Sequence, residues 1–141
     1  PEGRRSVTGY TVMMNGGAIS WESKRQKVTA LSSAESEFYA ASACGCEIFY
    51  LRSVLAAIGF DQVWPTPVAE DNVACIHMSK SSAMFNKGKH IDVLVYLLRE
   101  FVQDGIMELF HVSTNEQAAD LFTKSLPSPA LQKHRTVLSG D

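Results

Sequence analysis

The stretch LSSAESEFYAASACGCEIFYLRSVLAAIGF, from Leu31 to Phe60, reads as one long helix. Counting from Glu37 by four and three residues reaches Ala41, Cys44, Ile48, Leu51, Leu55 and Ile58, all apolar. Such a stripe has to be covered by a sheet or by other helices, so this helix organises any fold the chain adopts. Ser32 with Glu35 three residues on fits a capping box that fixes the helix start. Gly59 closes it. Glu37 heads the stripe that must pack on the rest of the chain. A buried, unpaired carboxylate is costly or shifts its pKa, so Glu37 calls for a base, for solvent at the end of a sheet, or for a cation. The plainer alternative is a solvated first-turn acid favoured by the helix dipole.

The remaining elements can be placed around this helix. Residues 1–5 read as a turn. SVTGYTVMMN is rich in strand formers, Asn15-Gly16 is a hairpin signal, and AISWES is the return strand. VAED is a short buried strand ending in acid, and NVACIHMSK is a short helix. HIDVLVYLLREFVQ is a second long helix with Ile91, Leu94, Val95, Leu98, Phe101 and Val102 on one face. IMELFHV is a strand. Ser113 with Glu116, and Thr114 with Gln117, offer capping boxes for a helix at QAADLFTK, broken by Pro127 and Pro129. A short final helix over 130–138 ends the chain. The order is hairpin, helix, strand, helix, helix, strand, helix, which is α/β with mixed strands.

A chain of 141 residues with 45% hydrophobic and 20% charged residues is of a size and composition for one globular domain. A net charge of −2 does not advertise nucleic-acid binding, although the footprint that matters is local. There is no unbroken run of eighteen apolar residues to span a membrane, and no charged-then-apolar leader. The odd set Cys44, Cys46 and Cys75 fits reduced thiols. Cys44 and Cys46 diverge on a helix, and no second pair follows at zinc spacing.

Two further acids pose the same question as Glu37. Asp71 lies at the carboxyl end of the VAED strand, where open α/β sheets place ligands; its ordinary alternative is to cap the helix starting at Asn72. Asp120 stands one turn into the expected QAADLFTK helix, or simply on its surface. All three lie near element ends, where they can converge beside the sheet. Clustered carboxylates repel unless divalent metal is bound, and hard oxygen ligands suit Mg²⁺ or Mn²⁺.

RRSVTGY, GGAISWESKRQ, ALSSAESEFYA, EDNVACI, KGKHID and NEQAADLFTK occur in that order. Together they resemble the ribonuclease H domain of copia-type LTR retrotransposon Pol polyproteins, from Arg4 to about Leu138. The resemblance implies a ribonuclease H-like mixed sheet flanked by helices, and four carboxylates holding two Mg²⁺, with Mn²⁺ as a substitute. It implies hydrolysis of the RNA strand of an RNA–DNA hybrid, leaving 5′ phosphate and 3′ hydroxyl ends. Glu37 before Phe38, Asp71 of the DN pair and Asp120 of AD-x-x-TK match three of the catalytic, metal-binding acids. Glu35 matches a motif acid that is not a ligand.

The family's first catalytic Asp lies on a central strand before RRSVTGY and has no counterpart here. The resemblance therefore describes residues 1–141 as an N-terminally truncated ribonuclease H-like domain, with a tail over 126–141. Alone it is expected to be inactive, and unstable or aggregation-prone at its open sheet edges. Glu70 stands where Cys is usual and sets a like charge beside Asp71, although strand alternation should point the two apart. Leu97 stands where His is usual.

Phosphate and 2′-hydroxyl contacts to the hybrid would come from Lys87, Lys89 and His90, with Ser33, Asn72 and Lys124, and Lys80 nearby. His111 is an auxiliary candidate for product release. The partners implied are the hybrid and the reverse transcriptase domain of the same polyprotein, with no membrane. The setting implied is intracellular: a cytoplasmic virus-like particle and the nucleus. Three other readings stand beside this one: an inactive remnant that binds nucleic acid or a partner, an integrase or transposase, and a purely structural domain. Integrases place their Glu on a late helix, whereas Glu37 comes early.

Overall fold

The structure, a computed structural model, describes residues 6–26, 33–82, 89–119 and 128–139. β1 (Val7–Met14) and β2 (Gly17–Arg25) form an antiparallel hairpin, with Val7 opposite Arg25 and Met14 opposite Gly17. Its turn is Asn15-Gly16, both at positive φ (51° and 82°), the pair of left-handed residues that a tight hairpin needs. A register shift between Val12 and Met13 marks an irregularity in the ladder.

α1 (Ser33–Ala57) is the long helix expected from the sequence. Gly59 ends it at φ 91°, with Gly59 N–H on the Ala56 carbonyl and Phe60 N–H on the Leu55 carbonyl, a Schellman closure. The proposed cap, Ser32, lies outside the described residues. The apolar stripe is buried only in its first half. Phe38, Ala41, Cys44 and Ile48 are buried, Leu51 and Leu55 are half-buried, and Ile58 is 63% exposed. The expectation of a stripe covered along its whole length is therefore corrected.

By length and composition alone, Glu35–Ala57 is long and apolar enough to cross a membrane, although it contains charged residues. Its buried stripe and its polar ties fit a core helix instead. Glu47 Oε1 accepts from Ser20 Oγ at 2.7 Å. The Arg52 guanidinium donates to the carbonyls of Gln62 and Trp64 and to Thr66 Oγ1, which anchors the end of α1 to the start of the next strand.

β3 (Thr66–Glu70) runs parallel to β4 (Met107–His111), with Glu70 in register with His111. Between them come α2 (Val73–Lys80) and α3 (Lys89–Gln103). Of the apolar face read for α3, Val95 and Leu98 are buried, Leu94 is half-buried, and Phe101 and Val102 pack against the core; the Ile91 side chain lies outside the described ones. Phe38 of α1, Cys75 of α2, Leu98 of α3, and Met107 and Leu109 of β4 meet in one cluster. Full burial of each large apolar side chain there stabilises by roughly 1.5–3 kcal/mol.

After β4 the chain makes a single 3₁₀ turn, Thr114–Glu116. Ser113 makes no side-chain cap bond, so the capping box expected there does not form. Residues 120–127, the body of the expected QAADLFTK helix, lie outside the described residues. α4 (Ser128–Ser139) begins two residues earlier than expected, and Pro129 sits in its first turn, where a missing N–H is tolerated. Among the described residues the four strands form two separate two-stranded sheets, β1-β2 and β3-β4.

Candidate carboxylate site

The carboxyl end of β3 supplies the centre of the site. The strand ends at Glu70, the chain bends at Asp71, and α2 starts at Val73. Asn72, not Asp71, is the helix cap: Asn72 Oδ1 accepts from Cys75 N–H at 3.2 Å. The capping alternative for Asp71 is thereby removed, and its carboxylate is left to the cluster. Carboxylate oxygens of Glu37, Glu70 and Asp71 lie within 4.8 Å of one another. Glu37 and Asp71 are half-buried and Glu70 is buried, with 5% exposure.

Strand alternation predicts that Glu70 points away from Asp71, and the structure corrects this. Alternation of faces holds within a strand, but Asp71 has left the strand and its backbone turns the side chain back. Glu70 Oε1 accepts from Asn72 N–H at 2.9 Å. Burial pushes the Glu70 carboxyl up to about 8; the Asn72 N–H opposes this, and the negative Glu37 and Asp71 add to it. Cys75, fully buried behind the cluster, has its thiol pushed well above the usual range by burial and then by Glu70 and Glu37. Cys44 on α1 is pushed up to about 12 by burial, then by Glu47 and Glu70. These thiols are held neutral, in keeping with free, unreactive cysteines. Cys44 and Cys46 do diverge, one buried and one exposed.

The cluster lines a cavity of about 540 Å³ that also touches β1, the α1 face and the turn after β4. All its candidate ligand atoms are carboxylate oxygens, which fits a hard divalent cation such as Mg²⁺ or Mn²⁺ rather than zinc.

Of the three acids singled out in the sequence, the structure brings Glu37 and Asp71 together, and Asp120 lies outside the described residues. Lys87 and Lys124 lie outside them as well. Ser33 opens α1, and Lys89 and His90 open α3. Asn72 is in place beside the acids, with its side-chain oxygen engaged as the cap. His111 is exposed at the end of β4, in register with Glu70. Glu70 is the member of the cluster that the sequence did not nominate. A second unforeseen residue is Gln117, whose Nε2 donates to the Ala69 carbonyl at 2.9 Å across the top of β3.

Comparison with known proteins gives several relatives. Over 126 residues, 89% of its length, the chain is 41% identical to the retrovirus-related Pol polyprotein from transposon TNT 1-94 of Nicotiana tabacum. Over 127 residues, 90% of its length, it is 33% identical to the retrovirus-related Pol polyproteins from transposons RE1 and RE2 of Arabidopsis thaliana. The chain spans about 9% of the length of each of these polyproteins. No family profile matches the chain, and no solved structure matches it. Over 50 residues, 36% of its length, the chain is also 48% identical to the Secreted RxLR effector protein 161 of Plasmopara viticola. The relatives matched along nearly the whole of this chain are retrovirus-related Pol polyproteins of plant transposons, of which it spans a small part.

Proposed function

We propose that this chain is the body of a ribonuclease H within a retrotransposon Pol polyprotein, hydrolysing the RNA strand of RNA–DNA hybrids. The observation that carries the proposal is the meeting of Glu37, from the first long helix, with Asp71, from the end of a parallel strand, in one carboxylate cluster. These are two of the acids that the sequence motifs nominate for metal binding. Relatives named as retrovirus-related Pol polyproteins support the setting.

In this reading Glu37 and Asp71, with Asp120, hold divalent ions, Mg²⁺ or Mn²⁺. When bound, the ions supply an activated water and charge stabilisation at the scissile phosphate. Glu70 keeps the Asn72 backbone in place through its hydrogen bond, beside the Asp71 carboxylate. Ser33, Asn72, Lys87, Lys89, His90 and Lys124 are the proposed hybrid contacts, acting on phosphates and 2′-hydroxyls rather than on base edges. A ribonuclease H-like sheet with a further central strand, carrying the first acid, belongs to the same proposal. So do a reverse transcriptase domain as neighbour and an intracellular particle as setting.

The test is cleavage of a labelled RNA–DNA hybrid with Mg²⁺ or Mn²⁺, using this chain extended on its N-terminal side through the expected first strand. Asp71→Asn is the control. Cleavage that disappears in the control is the expected result. A folded, extended protein that binds the hybrid and leaves it intact would replace the nuclease with a binding module.

A further inference from the structure

We infer that the outward face of α1 is a dimerisation surface, on which a second copy of this chain lays its own α1 antiparallel. Neither the acid cluster nor the nuclease reading enters this inference. α1 is apolar on every side. One stripe faces the core, yet less than a third of the most apolar stretch of the helix is buried inside the molecule. A helix that is apolar all round is ordinarily covered all round. Between Tyr39 and Ala57 the charged residues are Glu47 and Arg52. Both are engaged away from the outward face, Glu47 with Ser20 of β2 and Arg52 with the loop that leads into β3.

The outward stripe has a spacing of its own. Tyr39, Ala43, Cys46, Tyr50, Ser53 and Ala57 follow one another at alternating steps of four and three. That is the seam of a helix lying along another helix at a shallow angle. Cys46, Tyr50, Ser53 and Ala57 are exposed, and Tyr39 and Ala43 are half-buried. Tyr50 keeps 61% of its surface in solvent, and beside it Phe49 keeps 53%. A solvated helix face would carry Lys or Glu at some of these positions, and this one carries neither.

The order of large and small residues selects the occupant. Laid antiparallel on itself about Ile48, the stripe sets Tyr39 of one copy opposite Ala57 of the other, Ala43 opposite Ser53, and Cys46 opposite Tyr50. Each tyrosine then meets a small residue, as interdigitating layers require. Parallel pairing in register would instead set Tyr39 and Tyr50 against their own copies. The antiparallel contact is isologous, so it closes at two copies. It runs for about 27 Å at 1.5 Å per residue. With aromatic rings that each bury roughly 150–250 Å² when covered, it would remove on the order of 600 Å² per copy, or about 1,200 Å² in all, the lower end of the range for specific association.

The test is sedimentation velocity of the whole 141-residue chain from low to high micromolar concentration, in metal-free buffer without nucleic acid, so that its outcome is separate from that of the nuclease assay. A dimer that half-forms on the order of 10 µM is expected. Tyr50→Glu should weaken it at least about tenfold while the circular dichroism of the parent is kept. Ala43→Lys should weaken it as well, and adding Ser53→Glu to the same chain should restore it, because antiparallel pairing sets position 43 on position 53. A bismaleimide should join two copies through Cys46, since Cys44 and Cys75 are buried. A folded chain that stays monomeric throughout overturns the inference, as does a dimer that Tyr50→Glu leaves intact. Failure of Ser53→Glu to rescue Ala43→Lys overturns the antiparallel pairing. A monomer that floats with phosphatidylcholine vesicles would give this face to lipid and also overturn the inference.

Discussion

Glu70 and Asp71 are adjacent in sequence, yet their carboxyl groups face the same space, with oxygens within 4.8 Å of each other. The bend that ends β3 makes this possible, and it has a consequence for pH. The Glu70 carboxyl is held up at about 8 against an ordinary 4.5, chiefly by burial. Below the ordinary value both the folded and the unfolded chain carry this proton. Between the two values the folded chain keeps it while the unfolded chain has released it. Stability is therefore complete at low pH and falls as pH rises through the window, levelling off above about 8. A tenfold difference in proton affinity between the folded and unfolded chain corresponds to about 1.4 kcal/mol, so urea denaturation should give a value roughly 2–4 kcal/mol lower at pH 8.5 than at pH 5. Glu70→Gln should flatten that slope. An unchanged slope in the variant would assign the pH dependence to another group.

A divalent ion should reverse the penalty. An ion that binds the folded chain alone raises its melting temperature by mass action, and the gain should grow with pH as the cluster loses its proton. Thermal melts at pH 7.5 should rise by several degrees in millimolar Mn²⁺. Asp71→Asn and Glu37→Gln should each remove most of that rise. Without metal they should melt at or above the parent, because like charges have been relieved. An equal Mn²⁺ response in all three proteins would place the ion elsewhere.

Much of this arrangement is legible in the sequence. Period-2 and period-3.6 patterns locate the hairpin, α1, β3, α2, α3 and β4, and Asn15-Gly16 and Gly59 mark their ends because only left-handed backbone fits there. Glu37 and Asp71 are legible as acids at element ends. Glu70 is not, because strand alternation stops where the strand stops, and a boundary of one residue decides which way Asp71 turns. The exposure of Ile58 is hidden for a related reason: periodicity shows which face of a helix is apolar, but not how far its neighbours extend along it. Gln117 carries a capping signal, whereas its actual partner, Ala69, is 48 residues away. No local pattern encodes that contact.

Asn72 ties the helix start to the acid cluster, and its two roles can be separated. Its side-chain oxygen caps α2, while its backbone N–H holds Glu70. Asn72→Ala removes only the cap and should cost about 1 kcal/mol of stability. Asn72→Ser should recover most of it, since a serine oxygen can accept from the same N–H. Denaturant midpoints of the three proteins decide the matter; equal losses for alanine and serine would show that the cap bond is not the source.

The close approach of α1 to α3 rests on a missing side chain. A Cβ built on Gly45 would lie 2.6 Å from Phe101 Cδ2 and 3.0 Å from Met107 Sδ. The Phe101 ring cannot easily retreat, because it stacks on Phe49 at 6.1 Å between centroids. Alanine is ordinarily better than glycine inside a helix by about 1 kcal/mol. Here the clash should outweigh that preference, because overpacking a filled core costs about 1–3 kcal/mol. Gly45→Ala is therefore expected to lower the denaturant midpoint instead of raising it. Pairing it with Phe101→Leu, which opens space at the contact, should restore more stability than the sum of the single changes allows. If Gly45→Ala proves stabilising by itself, the two helices do not meet as closely as Gly45 and Phe101 indicate.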